Sequence, residues 1–170
     1  MNELIKGDNM KKLILVFLLL ISVFSFAQSK FSSAITFGAQ WLGKDIGEFF
    51  QGSIGYRLPN DLQINLGAAS SFMKNKQTDN KYQINKYGLF FNYGLLDKPL
   101  KFEPVFGLSY IQFKNNNLVE RKEMMGVDIG VRTIFVLGKG IKTGVNVTAT
   151  YAYYLPGSMI YAATFFEYTF

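Results

Sequence analysis

Ile160-Tyr161-Ala162-Ala163-Thr164-Phe165-Phe166-Glu167-Tyr168-Thr169-Phe170 ends the chain, and its alternation decides the fold. One parity carries Ile160, Ala162, Thr164, Phe166, Tyr168 and Phe170; the other carries Tyr161, Ala163, Phe165, Glu167 and Thr169. Successive strand side chains point to opposite faces, so Glu167 faces away from the Phe166, Tyr168 and Phe170 side. The segment is a strand with one continuous apolar face, and it runs to the last residue.

Seven more segments repeat this period. They cover about Phe31–Trp41, Glu48–Leu58, Leu62–Met73, Lys81–Leu95, Lys101–Phe113, Glu123–Phe135 and Ile141–Tyr153. In the first, Ile35, Phe37, Ala39 and Trp41 oppose Thr36, Gly38 and Gln40. In the sixth, Met125, Val127, Ile129, Val131 and Phe135 oppose Gly126, Asp128, Gly130 and Arg132. The apolar parity of the fourth shifts between Ile84 and Tyr87, which predicts a β-bulge near Asn85. Pro104 cannot donate to a ladder, so the fifth strand needs a bulge or a locally open pairing there.

Three features put the apolar faces outside. The strands hold about 9–13 residues, as a tilted bilayer crossing requires. The opposite faces are rich in Gly, Ser, Thr and Asn, which suits the crowded interior of a narrow barrel. Aromatics gather near strand ends, at Trp41, Tyr56, Tyr93, Phe102, Tyr110, Tyr153 and Tyr168, as in interfacial girdles. Tight connections at 58–61, 96–99 and 137–140 carry Pro, Gly, Asn and Asp. Between them lie connections at about 42–47, 74–80, 114–122 and 154–158, of which the second and third are longer and polar. An even strand number with short turns on one side predicts both termini in the periplasm.

The start of the chain names the same compartment. Met10-Lys11-Lys12, an apolar run from Leu13 to Phe24 and the exit Ser25-Phe26-Ala27 form a secretory signal peptide over 1–27. Glu3 and Asp8 suit its first region poorly, which makes Met10 the alternative start. Residues 28–170 then form one domain.

An apolar strand that ends on a terminal aromatic resembles the closing strand of bacterial outer-membrane β-barrels. With the signal peptide and eight alternating strands, the mature chain resembles the eight-stranded OmpA-like and OmpX-like barrels of Gram-negative bacteria. The resemblance implies an all-β, antiparallel, up-and-down transmembrane barrel. It also implies that Phe170 is part of a signal read by the barrel-assembly machinery. The basic excess of the mature chain suits outer-membrane lipid head groups and lipopolysaccharide as partners. A porin-like channel role belongs to the wider class.

Composition bounds the chemistry. Cys is absent, so an exported chain closes its fold without disulfides. His is absent, which removes the usual general base and the commonest metal ligand. No cofactor or metal is expected. After residue 27 there are 15 Lys and Arg against 10 Asp and Glu. No basic stripe interleaves with aromatics, which argues against nucleic acid. Anionic head groups suit the excess better.

The inward parity contains Arg57, Glu103, Asp128, Arg132, Lys142 and Glu167. Charges in a filled lumen must pair. The expected arrangement is a salt-bridged plug of Arg57, Arg132 and Lys142 with Glu103 and Glu167. The expected function is that of a small integral outer-membrane protein, structural or interaction-based, monomeric and not an enzyme. One alternative is a narrow small-solute channel gated by these charges. The other is a secreted, soluble, lipocalin-like barrel with its apolar faces inward.

Overall fold

A computed structural model of the chain describes residues 30–95, 100–115, 122–155 and 157–170. The signal peptide 1–27, the candidate start at Met10, the 96–99 turn and most of the 114–122 loop lie outside the described residues. Eight strands follow in order: β1 Phe31–Leu42, β2 Asp45–Arg57, β3 Leu62–Lys74, β4 Lys81–Tyr93, β5 Leu100–Lys114, β6 Glu123–Gly138, β7 Ile141–Tyr151 and β8 Met159–Thr169. Each pairs antiparallel with its sequence neighbours, and β8 pairs with β1 to close a barrel.

The register fixes the shape. From Ile129 the ladders run through Phe106, Phe91, Ile64 and Tyr56 to Phe31. In the other direction they run through Ala149 and Ile160 to Trp41. The two paths meet on β1 ten residues apart, between Phe31 and Trp41. With strands about 4.8 Å apart and a rise of about 3.3 Å per residue, that displacement tilts the strands by roughly 40°. Each residue then climbs about 2.5 Å along the barrel axis.

The apolar face is outside. Ile35 is 68 % exposed and Leu66 is 57 % exposed, while Gln40 and Gln63 are buried. This overturns the soluble lipocalin-like alternative, which needs the apolar faces inward. On the tilted lattice Tyr56, Tyr93, Phe102 and Tyr168 share a level near the turn end. Trp41, Tyr87, Tyr110 and Tyr151 share a level near the loop end. The band between the two rings is about 20–25 Å tall, the height expected of a transmembrane barrel.

Above the upper ring the outer face of β4, β5 and β6 turns polar, while Phe72 on β3 stays outward and exposed. Ser70, Asn85, Gln112 and Glu123 now point outward, in one continuous row of ladder pairs. Leu42, Met73, Tyr82, Ile84, Ile111, Phe113, Met124 and Met159 point inward and form a buried apolar cluster. This corrects the bulge expected near Asn85. The β3–β4 and β4–β5 registers run through Asn85 without a shift. The strand keeps its parity, and the solvent outside it changes. The register irregularity lies between Val136 and Gly138 instead. At Pro104 the β5–β6 ladder continues through Val131, while the β4–β5 register ends one residue earlier at Val105. That is the open pairing proline needs.

The β1–β2 connection is tighter than the expected 42–47. Leu42 pairs with Asp45, and Gly43 supplies a φ of 59° in the two-residue turn. The lumen is narrow enough that some inward positions exclude a Cβ. One built on Gly107 would lie 2.6 Å from the Phe90 ring, which packs across this glycine.

Phe113→Ala should remove a buried ring from the apolar cluster and destabilise the refolded barrel by about 3–5 kcal/mol. Urea unfolding in micelles, followed by gel mobility with and without heating, checks this.

Candidate functional site in the barrel lumen

Five of the six sequence-selected charges meet at the turn end. Glu103 faces Arg132 and Lys142 faces Glu167 across directly paired positions. Lys142 Nζ donates to Glu167 Oε1 at 2.9 Å, and Arg132 Nη2 donates to Glu167 Oε2 at 2.9 Å. Arg132 Nη1 lies 3.7 Å from Glu103 Oε2, and Arg57 Nη2 donates to Glu103 Oε1 at 3.2 Å. Arg57 Nη1 also reaches Asp61 Oδ1 at 3.5 Å, at the rim. The signs alternate along the whole chain of contacts. Glu103 is fully buried, and the Arg132 guanidinium lies 4.0 Å from the Phe165 ring centroid. Two cations on each carboxylate offset much of the desolvation that burial imposes.

A neutral polar layer follows. Gln63 Nε2 donates to Ser32 Oγ at 2.8 Å and to Asn65 Oδ1 at 3.0 Å. A cavity of about 30 Å³ lies among Gln51, Ser53, Asn65, Asn92, Arg132 and Tyr161. That volume suits a water molecule or two, and Asn65 Nδ2, Asn92 Oδ1 and Gln51 Oε1 stand beside it without partners.

The sixth charge, Asp128, stands apart. Its Oδ1 accepts from Lys86 Nζ at 2.8 Å and from the Thr150 hydroxyl. Lys86 Nζ also donates to Thr150 Oγ1 at 3.2 Å and sits 4.8 Å from the Tyr161 ring centroid. Tyr161 stacks on Phe49 at 4.2 Å. Sequence reasoning missed Lys86, because a bulge at Asn85 would have left its direction undefined. Counting back from Gly88 and Phe90 with an unbroken period puts it inward. The apolar cluster closes the lumen above this pair.

At the loop end Tyr82 donates to Asp45 Oδ2 at 2.8 Å, and Asn75 Nδ2 donates to the same oxygen at 3.1 Å. Burial, together with the neighbouring Asp45 carboxylate, pushes the Tyr82 hydroxyl well above its ordinary pKa. Asn75 Oδ1 accepts from the backbone amides of Gln77 and Thr78, which shapes the β3–β4 connection. At the opposite end Phe170 lies outside the wall. Its ring meets Tyr168 edge to face at 5.1 Å, and its amide donates to the Phe31 carbonyl at 2.9 Å.

The buried carboxylates are held by cations, Glu103 by Arg57 and Arg132, Glu167 by Arg132 and Lys142, and Asp128 by Lys86. Among the described residues no group of His, Cys, Asp and Glu could hold a metal.

A closed wall of eight antiparallel strands, a displacement of ten residues and an outward apolar band bounded by aromatic rings decide the likeness. The chain shares the fold of the eight-stranded outer-membrane barrels. It is similar to Neisserial surface protein A, with a TM-score of 0.66 and 13% identity over 82% of this chain and 96% of that one. A major outer membrane protein from Thermus thermophilus gives a TM-score of 0.60 at 13% identity, over 82% of this chain and 99% of that one. The outer membrane enzyme PagL gives 0.54 at 13% identity, over 82% and 99%. No family model matches the chain, and no curated protein matches it.

Breaking the inner pair from one side should cost more than removing it. Lys86→Met leaves Asp128 buried beside Thr150 alone and should destabilise by about 3–5 kcal/mol. Adding Asp128→Leu should recover at least half of that loss. A double-mutant cycle in urea measures the coupling.

Proposed function

We propose that this chain is a small integral protein of the bacterial outer membrane, with a structural or interaction role and a lumen closed to solute. The observation that carries the proposal is the lumen itself. A charge network fills one end, an apolar cluster fills the other, and the cavity between them measures about 30 Å³. The outward apolar band supports insertion, because hydrocarbon accepts such a surface and water does not. Two solved examples of the fold are outer-membrane proteins, which supports the location.

In this reading the barrel stands as a monomer in outer-membrane lipid and lipopolysaccharide. The network of Arg57, Glu103, Arg132, Lys142 and Glu167, with the Lys86–Asp128 pair above it, braces the wall from inside. It is neither a gate nor an acid–base site. PagL shares the fold and is an enzyme, so the fold leaves activity open. The reading against catalysis rests on the filled lumen and on the absence of His.

Planar-bilayer recordings test the closed lumen. Neither the wild type nor Glu103→Ala should produce channel events. Steps that appear only in Glu103→Ala would make the network a gate, and steps in both would make the protein a channel. The position of Phe170 on the outer surface at the turn end supports its recognition by the barrel-assembly machinery. Deleting it should lower the yield of assembled barrel in cells by about tenfold and leave urea unfolding of refolded protein within about 0.5 kcal/mol. Normal assembly of the truncated chain would remove that role.

A further inference from the structure

Three lysines stand at one height on the outer wall. Lys74 of β3 and Lys81 of β4 are direct ladder partners, and Lys114 of β5 pairs with Gln83 two residues along from Lys81. On the tilted lattice all three lie about 10 Å beyond the upper aromatic ring, above Tyr87 and Tyr110. Like charges set directly opposite one another destabilise a ladder. Lys74 has a partner in Asp79, at 2.8 Å. Lys81 and Lys114 have no ion pair among the described residues. Three flexible ammonium groups can reach down beside the wall to the level where head-group phosphates lie.

Beneath them the wall changes in an order that matches a lipid. The first row is polar on β4 and β5, where Gln83 and Gln112 face outward, while the exposed Phe72 stands between Lys74 and Ser70 on β3. Ser70 donates to Asn85 Oδ1 at 2.9 Å and Gln83 Nε2 donates to the same oxygen at 2.8 Å, and Asn85 itself is buried. Below it an apolar groove runs down the same strands, with Ala68, Leu66 and Leu89 along it and Tyr87 at its upper edge. Gly52 and Ala68 are ladder partners, and their missing side chains deepen the groove on the β2 side. Cations, then amides, then an apolar channel follow one another over β4 and β5.

We infer that this strip is a specific site for a phosphorylated glycolipid of the outer leaflet. Its phosphate bridges Lys74, Lys81 and Lys114, its sugar hydroxyls meet Gln83, Gln112 and Ser70, and an acyl chain lies in the groove over Gly52 and Ala68. The inference rests on the outer-membrane reading above. A diacyl phospholipid also supplies a phosphate and chains, but it lacks a sugar to pair with the amide row.

Native mass spectrometry of the refolded mature chain, released from detergent micelles, tests the site. The probes are bisphosphorylated lipid A, dephosphorylated lipid A and phosphatidylglycerol. The variant is Lys74→Ser/Lys81→Ser/Lys114→Ser, whose changes lie outside the apolar band. Heat-modifiable gel mobility verifies that the variant is folded, and it tests the barrel independently of lipid. Wild type should retain one bisphosphorylated lipid A, and the variant should bind it roughly a hundredfold more weakly, at about fivefold per lysine. Dephosphorylated lipid A should bind both proteins equally and weakly. Equal retention of bisphosphorylated lipid A by a folded variant would overturn the site. Equal retention of phosphatidylglycerol and bisphosphorylated lipid A by wild type would overturn the choice of a glycolipid. A second variant, Gly52→Leu/Ala68→Leu, fills the groove and should weaken binding with every lysine in place.

Discussion

Closure of β8 onto β1 is the constraint on which everything else depends. An unpaired strand edge in hydrocarbon would leave a row of backbone groups without partners, at several kcal/mol each. Pairing Phe166 with Ile35 and Tyr161 with Gln40 removes that edge. With eight strands and a ten-residue displacement the wall has one radius, and that radius leaves room for side chains and little else. The packing of Phe90 across Gly107, the cavity of about 30 Å³ and the pairing of every inward charge described above all follow from it.

The lumen is layered because its surroundings are. At the turn end the strands run into water, and long charged side chains there bridge five strands through Arg57, Glu103, Arg132, Glu167 and Lys142. At the loop end the wall rises past the apolar band, and water now lies outside it. Burial there rewards an apolar interior, so Met73, Ile84, Ile111 and Phe113 turn inward as in a soluble barrel. A buried ion pair contributes little net stability compared with an apolar pair of the same shape.

The similarity to solved barrels holds at 13% identity, where few lumen or loop residues can correspond. What carries over is the lattice of strands and its closure. One example of this fold is an enzyme and another is a surface protein. Activity on such a scaffold is a matter of the residues grafted on it.

The sequence by itself determined the strands and their parity, because a period of two is a local property that each segment displays. Tyr161–Phe170 and Phe31–Trp41 could be read this way without any partner. Strand length, the Gly-rich opposite faces and the aromatics near strand ends pointed the apolar faces outward, and the structure settled it against the lipocalin-like alternative. The sequence also placed Arg57, Glu103, Asp128, Arg132, Lys142 and Glu167 inward. It misled at Asn85, where a change of solvent outside the wall looked like a change of direction in the chain. Only the tertiary structure decided who meets whom: Glu167 with both Arg132 and Lys142, and Asp128 with the unforeseen Lys86. Those partners come from different strands, and their heights depend on the ten-residue displacement gained in going round the barrel. That displacement is a property of the closed wall and of no single segment.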